Sequence, residues 1–127
     1  FRNGYWIYRE LFRRLLRAVL PVPAVETNAP ISTEVTLTHQ AETDDHPERW
    51  LVHLINFSAN RRAPEHCEFY EEPVPLHNIT VKVNIGARFL QAHLAHSGEI
   101  LTMTLEEDNV VANVPQIQTS AFVVFEE

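Results

Sequence analysis

Two hydrophobic periods divide this chain. From Tyr5 to Leu20 apolar residues recur every three or four positions. Tyr8, Leu11, Phe12, Leu15 and Val19 share one side, with Arg9, Arg13, Arg14 and Arg17 on the other. That spacing predicts an amphipathic α-helix. Asn3 and Gly4 suit its start. Pro21 and Pro23 stop it, because proline has no N–H to give the helix and crowds the preceding turn. The stretch PVPAVETNAP carries three prolines in ten residues. Residues 23–30 therefore read as a stiff extended linker rather than an element.

Past residue 30 the period falls to two. STEVTLTHQ alternates Val35 and Leu37 with Glu34, Thr36 and Thr38. RWLVHLINF is apolar on both faces, with Trp50, Val52 and Leu54 opposing Leu51 and Ile55, as in a central strand covered on both sides. HNITVKVNI sends Ile79, Val81, Val83 and Ile85 to one face. FLQAHLA and NVVANVP are short candidates, EILTMTLEE places Leu101, Met103 and Leu105 together, and TSAFVVFEE is the seventh. HSGE and EEDN read as hairpin turns. Residues 58–75 form a long, charged, proline-flanked loop, expected to be exposed and mobile. The predicted class is mainly β: an antiparallel β-sandwich of about seven strands over residues 31–127, preceded by one amphipathic helix over residues 1–22.

Charge sharpens the division. The net charge is −7, but residues 1–23 carry +4 and residues 24–127 carry −11. An acidic body repels phosphate backbones, so no nucleic-acid partner is expected. No apolar run approaches the roughly 20 residues that span a bilayer, so no membrane partner is expected either. The single cysteine, Cys67, lies among Glu65, Glu68, Glu71 and Glu72, which disfavour a thiolate; it reads as an inert thiol. A lone cysteine fits a reducing compartment, and the expected location is the cytoplasm.

Candidate chemistry is thin. Seven histidines raise the question of a metal, yet only Glu65–Glu68 is compact and no second ligand pair follows at zinc spacing. No metal or cofactor is expected. His53 reads as a half-buried, hydrogen-bonded core histidine, and Trp50 as core packing. Glu106, Glu107 and Asp108 are neighbours in a predicted turn, not an opposed acid–base pair. With three glycines in all, no phosphate-cradling loop can be written. The sequons at Asn56 and Asn78 are about as many as chance allows. Phe69 and Tyr70, adjacent aromatics in the long loop, are the candidate ligand contacts.

Four segments in order carry a resemblance: RELFRRLLRAVLP before a proline hinge, RWLVHLINFSANRR, VPLHNITVKVNI, and the closing NVPQIQTSAFVVFEE. They resemble the C-terminal end of large bacterial glycoside-hydrolase-like proteins related to family 42 β-galactosidases. Those proteins join a (β/α)₈ barrel, an α/β domain of the trimerisation type, and a small β domain. The resemblance implies that the helix ends the α/β domain and that the rest is the C-terminal β domain. It also implies that the catalytic carboxylates lie on the barrel, so none is carried onto this chain. The implied role is a non-catalytic structural or interaction domain whose partners are the upstream domains of its own parent, itself a glycoside hydrolase or a relative of one. The alternative is a carbohydrate-binding module that uses the 58–75 loop. The helix stripe Tyr8, Leu11, Phe12, Leu15 and Val19 is the expected interface, with pairing to a second copy as its other outlet.

Overall fold

The computed structural model describes residues 6–57, 73–86, 89–106 and 109–126. One helix, α1 (Trp6–Val19), precedes eight strands: β1 (Val25–Thr27), β2 (Thr33–Gln40), β3 (Arg49–Asn56), β4 (Leu76–Val83), β5 (Gln91–Leu94), β6 (Thr102–Glu106), β7 (Asn109–Ile117) and β8 (Ser120–Glu126). They form two four-stranded antiparallel sheets, ordered β1-β4-β7-β6 and β2-β3-β8-β5. The chain is mainly β, a sandwich with one helix attached.

The period-two pattern explains the layering. Val52 and Leu54 of β3 and Ala121, Val123 and Phe125 of β8 face inward from one sheet. Ile79, Val81 and Val83 of β4 and Val110, Ala112 and Val114 of β7 face them from the other. Each Val, Leu, Ile or Phe among them contributes roughly 1.5–3 kcal/mol on leaving water, so this interleaved layer dominates stability. The outer faces differ. On the β4 sheet Thr80, Lys82 and Asn113 alternate with the core positions and point to solvent. On the β3 sheet the outward positions are Leu51, His53, Ile55, Phe122 and Val124.

Three asparagines tie the ends of the sandwich. Asn28 donates from Nδ2 to the Asn78 carbonyl (3.2 Å) and accepts from the Thr80 N–H (2.9 Å), so its side-chain amide continues the β1–β4 ladder beyond Thr27. Asn84 donates to the Pro23 carbonyl at 2.8 Å and to Glu26 Oε1 at 3.2 Å. Asn56, only 5% exposed, donates from Nδ2 to the carbonyls of Val74 (2.9 Å) and Gln118 (3.0 Å). This last clamp leaves no free N–H on the Asn56 amide, so that sequon is structural.

The β4–β7 ladder skips one pair. Ile79 faces Val114 and His77 faces Gln116, but Asn78 and Pro115 between them do not pair. Pro115 has no N–H to give, and Asn78 takes φ +54°, a left-handed conformation that asparagine tolerates. Beyond this point the buried positions change phase, to Leu76 on β4 and Ile117 on β7.

Several expectations need correction. Val25–Thr27, assigned to the linker, is an edge strand. Its three residues are too short to show a period, and prolines 23 and 30 lie outside them, so their N–H groups are free for the ladder. β7 runs nine residues and continues through Pro115, past the expected end of the NVVANVP strand. Leu105 is not inward like Met103 but largely exposed, because it sits near the end of edge strand β6. His53 is not in the core: it lies on the outer face with its ring edge-on to Phe122, centroids 4.5 Å apart, and that ring contact replaces the expected hydrogen bond. Most of the 58–75 loop lies outside the described residues.

Candidate functional site

Among the described residues the longest run of exposed apolar side chains is on α1. Tyr8, Leu11, Phe12, Leu15 and Val19, the predicted stripe, are 55–85% exposed, and Leu16 and Leu20 widen it. A helix of this pattern ordinarily buries such a face. Here it stands off the sandwich.

The basic side of α1 is largely spoken for. Glu10 accepts from Arg13 Nε (2.9 Å) and Nη2 (2.9 Å) and from Arg14 Nε (3.0 Å). The hydrogen bonds from Arg13 and then Arg14 hold the Glu10 carboxyl down at about 2, and the same bond pushes Arg13 up. Arg17 Nη2 approaches Glu26 of β1 at 3.9 Å, an exposed contact between helix and sheet that adds little by itself.

Phe69 and Tyr70 lie outside the described residues, as do Cys67, Glu107 and Asp108. Trp50 packs its inner side against the core and stacks on His39, ring centroids 4.4 Å apart; His39 Nε2 in turn meets Glu48 Oε1 at 2.7 Å. That stack closes one rim of the sandwich. His93 points outward from β5 beside Val124, and its buried Nδ1 lacks a hydrogen bond among the described residues. The nearby Glu126 Oε2, at 3.9 Å, is too far for one. Among the described residues no three His, Cys, Asp or Glu side chains converge on a point where a metal could sit, and no helix is long and apolar enough to cross a membrane.

The opposite rim carries a polar notch that the sequence reading missed. A cavity of about 390 Å³ is lined by Leu94, His96, Glu99, Pro115, Gln116, Gln118 and Ser120. Its walls come from the end of β5 and the turn after it, the end of β7, and the start of β8. The turn is closed by Gly98 N–H to the Leu94 carbonyl (2.8 Å) and Leu94 N–H to the Glu99 carbonyl (2.9 Å). Gly98 sits at φ +70°, where a side chain would be strained. The Asn56 clamp fixes the Gln118 carbonyl on the other wall. The one signal in the sequence is PQIQTS, where polar residues interrupt a strand's alternation.

No protein-family model matches the chain, and no curated protein matches it at a significant level. Among solved structures it is similar to the α-L-fucosidase isoenzyme 2 from Paenibacillus thiaminolyticus, with 27% identity and a TM-score of 0.71 over 91% of this chain and 16% of that one. A cycloisomaltooligosaccharide glucanotransferase from a Paenibacillus species matches at 19% identity and TM-score 0.44, over 86% of this chain and 19% of that one, too remote to carry an argument. This chain thus spans about a sixth of the length of a fucosidase it resembles.

Proposed function

We propose that this chain is a non-catalytic accessory β-sandwich of a larger glycosidase-type protein, joined to the neighbouring domain of that protein through α1. The exposed stripe of α1 carries the reading. Covering one Leu or Phe side chain contributes roughly 1.5–3 kcal/mol, so five large apolar residues in a row act as a surface built to be covered. The fucosidase likeness supports it: 91% of this chain matches about a sixth of a much longer glycosidase chain. The finer architecture implied by the family 42 resemblance belongs to the same proposal. There α1 is the last helix of an α/β domain, a (β/α)₈ barrel precedes that domain, and the sandwich begins at β1.

The test uses the full gene product. Leu11→Glu with Leu15→Glu should leave the sandwich's own unfolding unchanged but expose the segment between α1 and β1 to protease. If cleavage there is as slow as in the parent, α1 is not the dock. The isolated chain should turn over no chromogenic glycoside. Turnover that disappears when one of its own carboxylates is replaced would overturn the accessory role. Without the neighbouring domain, the stripe's remaining outlet is a second copy, so the isolated chain should self-associate at high concentration and the double variant should sediment as a monomer.

A further inference from the structure

We propose that the notch between the turn after β5 and residues 115–120 binds a neutral saccharide unit. This goes beyond the docking role of α1 and stands on separate residues. At about 390 Å³ the notch falls within the roughly 300–1,000 Å³ of small-molecule sites.

Its lining selects the ligand class. Gln116 presents an amide that both donates and accepts. The Ser120 hydroxyl does both as well, Glu99 accepts, and the His96 ring serves either way. Such mixed donors and acceptors suit adjacent hydroxyl groups, each of which also donates and accepts. Exposed Pro115 offers C–H surface for the apolar face of a sugar ring. Among the described residues no lysine or arginine lines the notch and Glu99 brings the one formal charge, a negative one, so phosphate, sulfate and uronic-acid ligands are disfavoured. His96 and Glu99 are two strong metal ligands where a site needs three. Five of the seven lining residues are polar, which argues against an apolar ligand.

The notch is prepared for a ligand. The side chains of His96, Glu99, Gln116 and Ser120 hydrogen-bond to no other described residue, so these four break no bond to a described residue on binding. The walls are held by backbone bonds: Gly98 to Leu94, Leu94 to Glu99, and Ala95 N–H to the Phe122 carbonyl (2.9 Å). Held walls lower the ordering cost of binding.

The experiment titrates the whole 127-residue chain with D-glucose, D-galactose and L-fucose, and with D-glucuronate as the anionic control, following backbone amide shifts by NMR. At least one neutral sugar should give saturable, millimolar shifts confined to residues 94–99 and 115–120, with glucuronate at least tenfold weaker. Gln116→Ala with Ser120→Ala should weaken the response at least tenfold while the core amides keep their positions. Three outcomes overturn the proposal: no saturable shift with any neutral sugar, shifts centred elsewhere or unchanged in the double variant, or glucuronate binding as well as the neutral sugars. None of these outcomes bears on α1, so the docking reading stands or falls separately.

Discussion

Replacing Asn56 tests how the two sheets are tied at one end of the sandwich. Its Nδ2 holds the carbonyls of Val74, before β4, and Gln118, before β8, from a site that is 5% exposed. A neutral intramolecular hydrogen bond contributes a net of about 0.5–1.5 kcal/mol, so losing two in Asn56→Ala should cost about 1–3 kcal/mol. Val74 and Gln118 are themselves exposed, so water can reach their carbonyls, which favours the middle of that range. At a urea dependence of about 1–3 kcal/mol per molar for a small protein, the unfolding midpoint should fall by about 1 M. Asn56→Asp has the same shape but, ionised, no donor, and it would set carboxylate oxygens against two carbonyl oxygens. At pH 7 it should be less stable than the alanine variant. The carboxyl of this variant would titrate higher folded than unfolded. Protonation restores a donor, so its deficit should shrink as pH falls through that raised value and be smallest below the unfolded one, about 3.9. Urea titrations at pH 7 and pH 4 measure both effects. An alanine variant within 0.3 kcal/mol of the parent, or an aspartate variant as stable as the parent at pH 7, would refute the clamp.

Three further outcomes follow from the fold. A chain starting at residue 24 should melt cooperatively, whereas one starting at residue 31 loses β1 and both Asn28 bonds and should melt several degrees lower, since about 1 kcal/mol moves a domain of this size by about 4–8 °C; identical melts would remove β1 from the fold. The Glu10 carboxyl is lowered from 4.5 to about 2, so its support for α1 is fully present above pH 4.5 and lost as pH falls toward 2; helical ellipticity should drop across that window, and a Glu10→Gln chain with the same drop would contradict this. At Asn78, φ +54° should make Asn78→Gly nearly neutral and Asn78→Val about 1–2 kcal/mol worse than glycine, read by chemical unfolding, and equal stability of the two would show the left-handed backbone to be unimportant.

The parts legible in the sequence were those with a long, regular period. α1 and the inward row of β4 follow directly from spacing, because burial on one face imposes it. β1 was hidden because three residues carry no period, and only β4 beside it turns them into a strand. His53 was misplaced because β3 is apolar on both sides, and the residues alone do not say which side meets the other sheet; the pairing of Val52 and Leu54 with Val123 and Ala121 decides it. The notch was invisible for a similar reason. Leu94, Glu99, Gln116 and Ser120 come from separate stretches, and only the closing of two sheets around Asn56 and the Gly98 turn brings them to one rim.

The segment between α1 and β1 sets a distance. Residues 20–24 span at most about 17 Å when fully extended, and Pro21 and Pro23 keep them from collapsing. Whatever surface receives α1 therefore has the sandwich as a permanent neighbour, at an effective concentration in the millimolar range for so short a tether. A partner held this close needs no large contact area of its own. Any ligand fixed on that partner would be met again after each release, so an affinity too weak for a free protein would suffice for a leashed one.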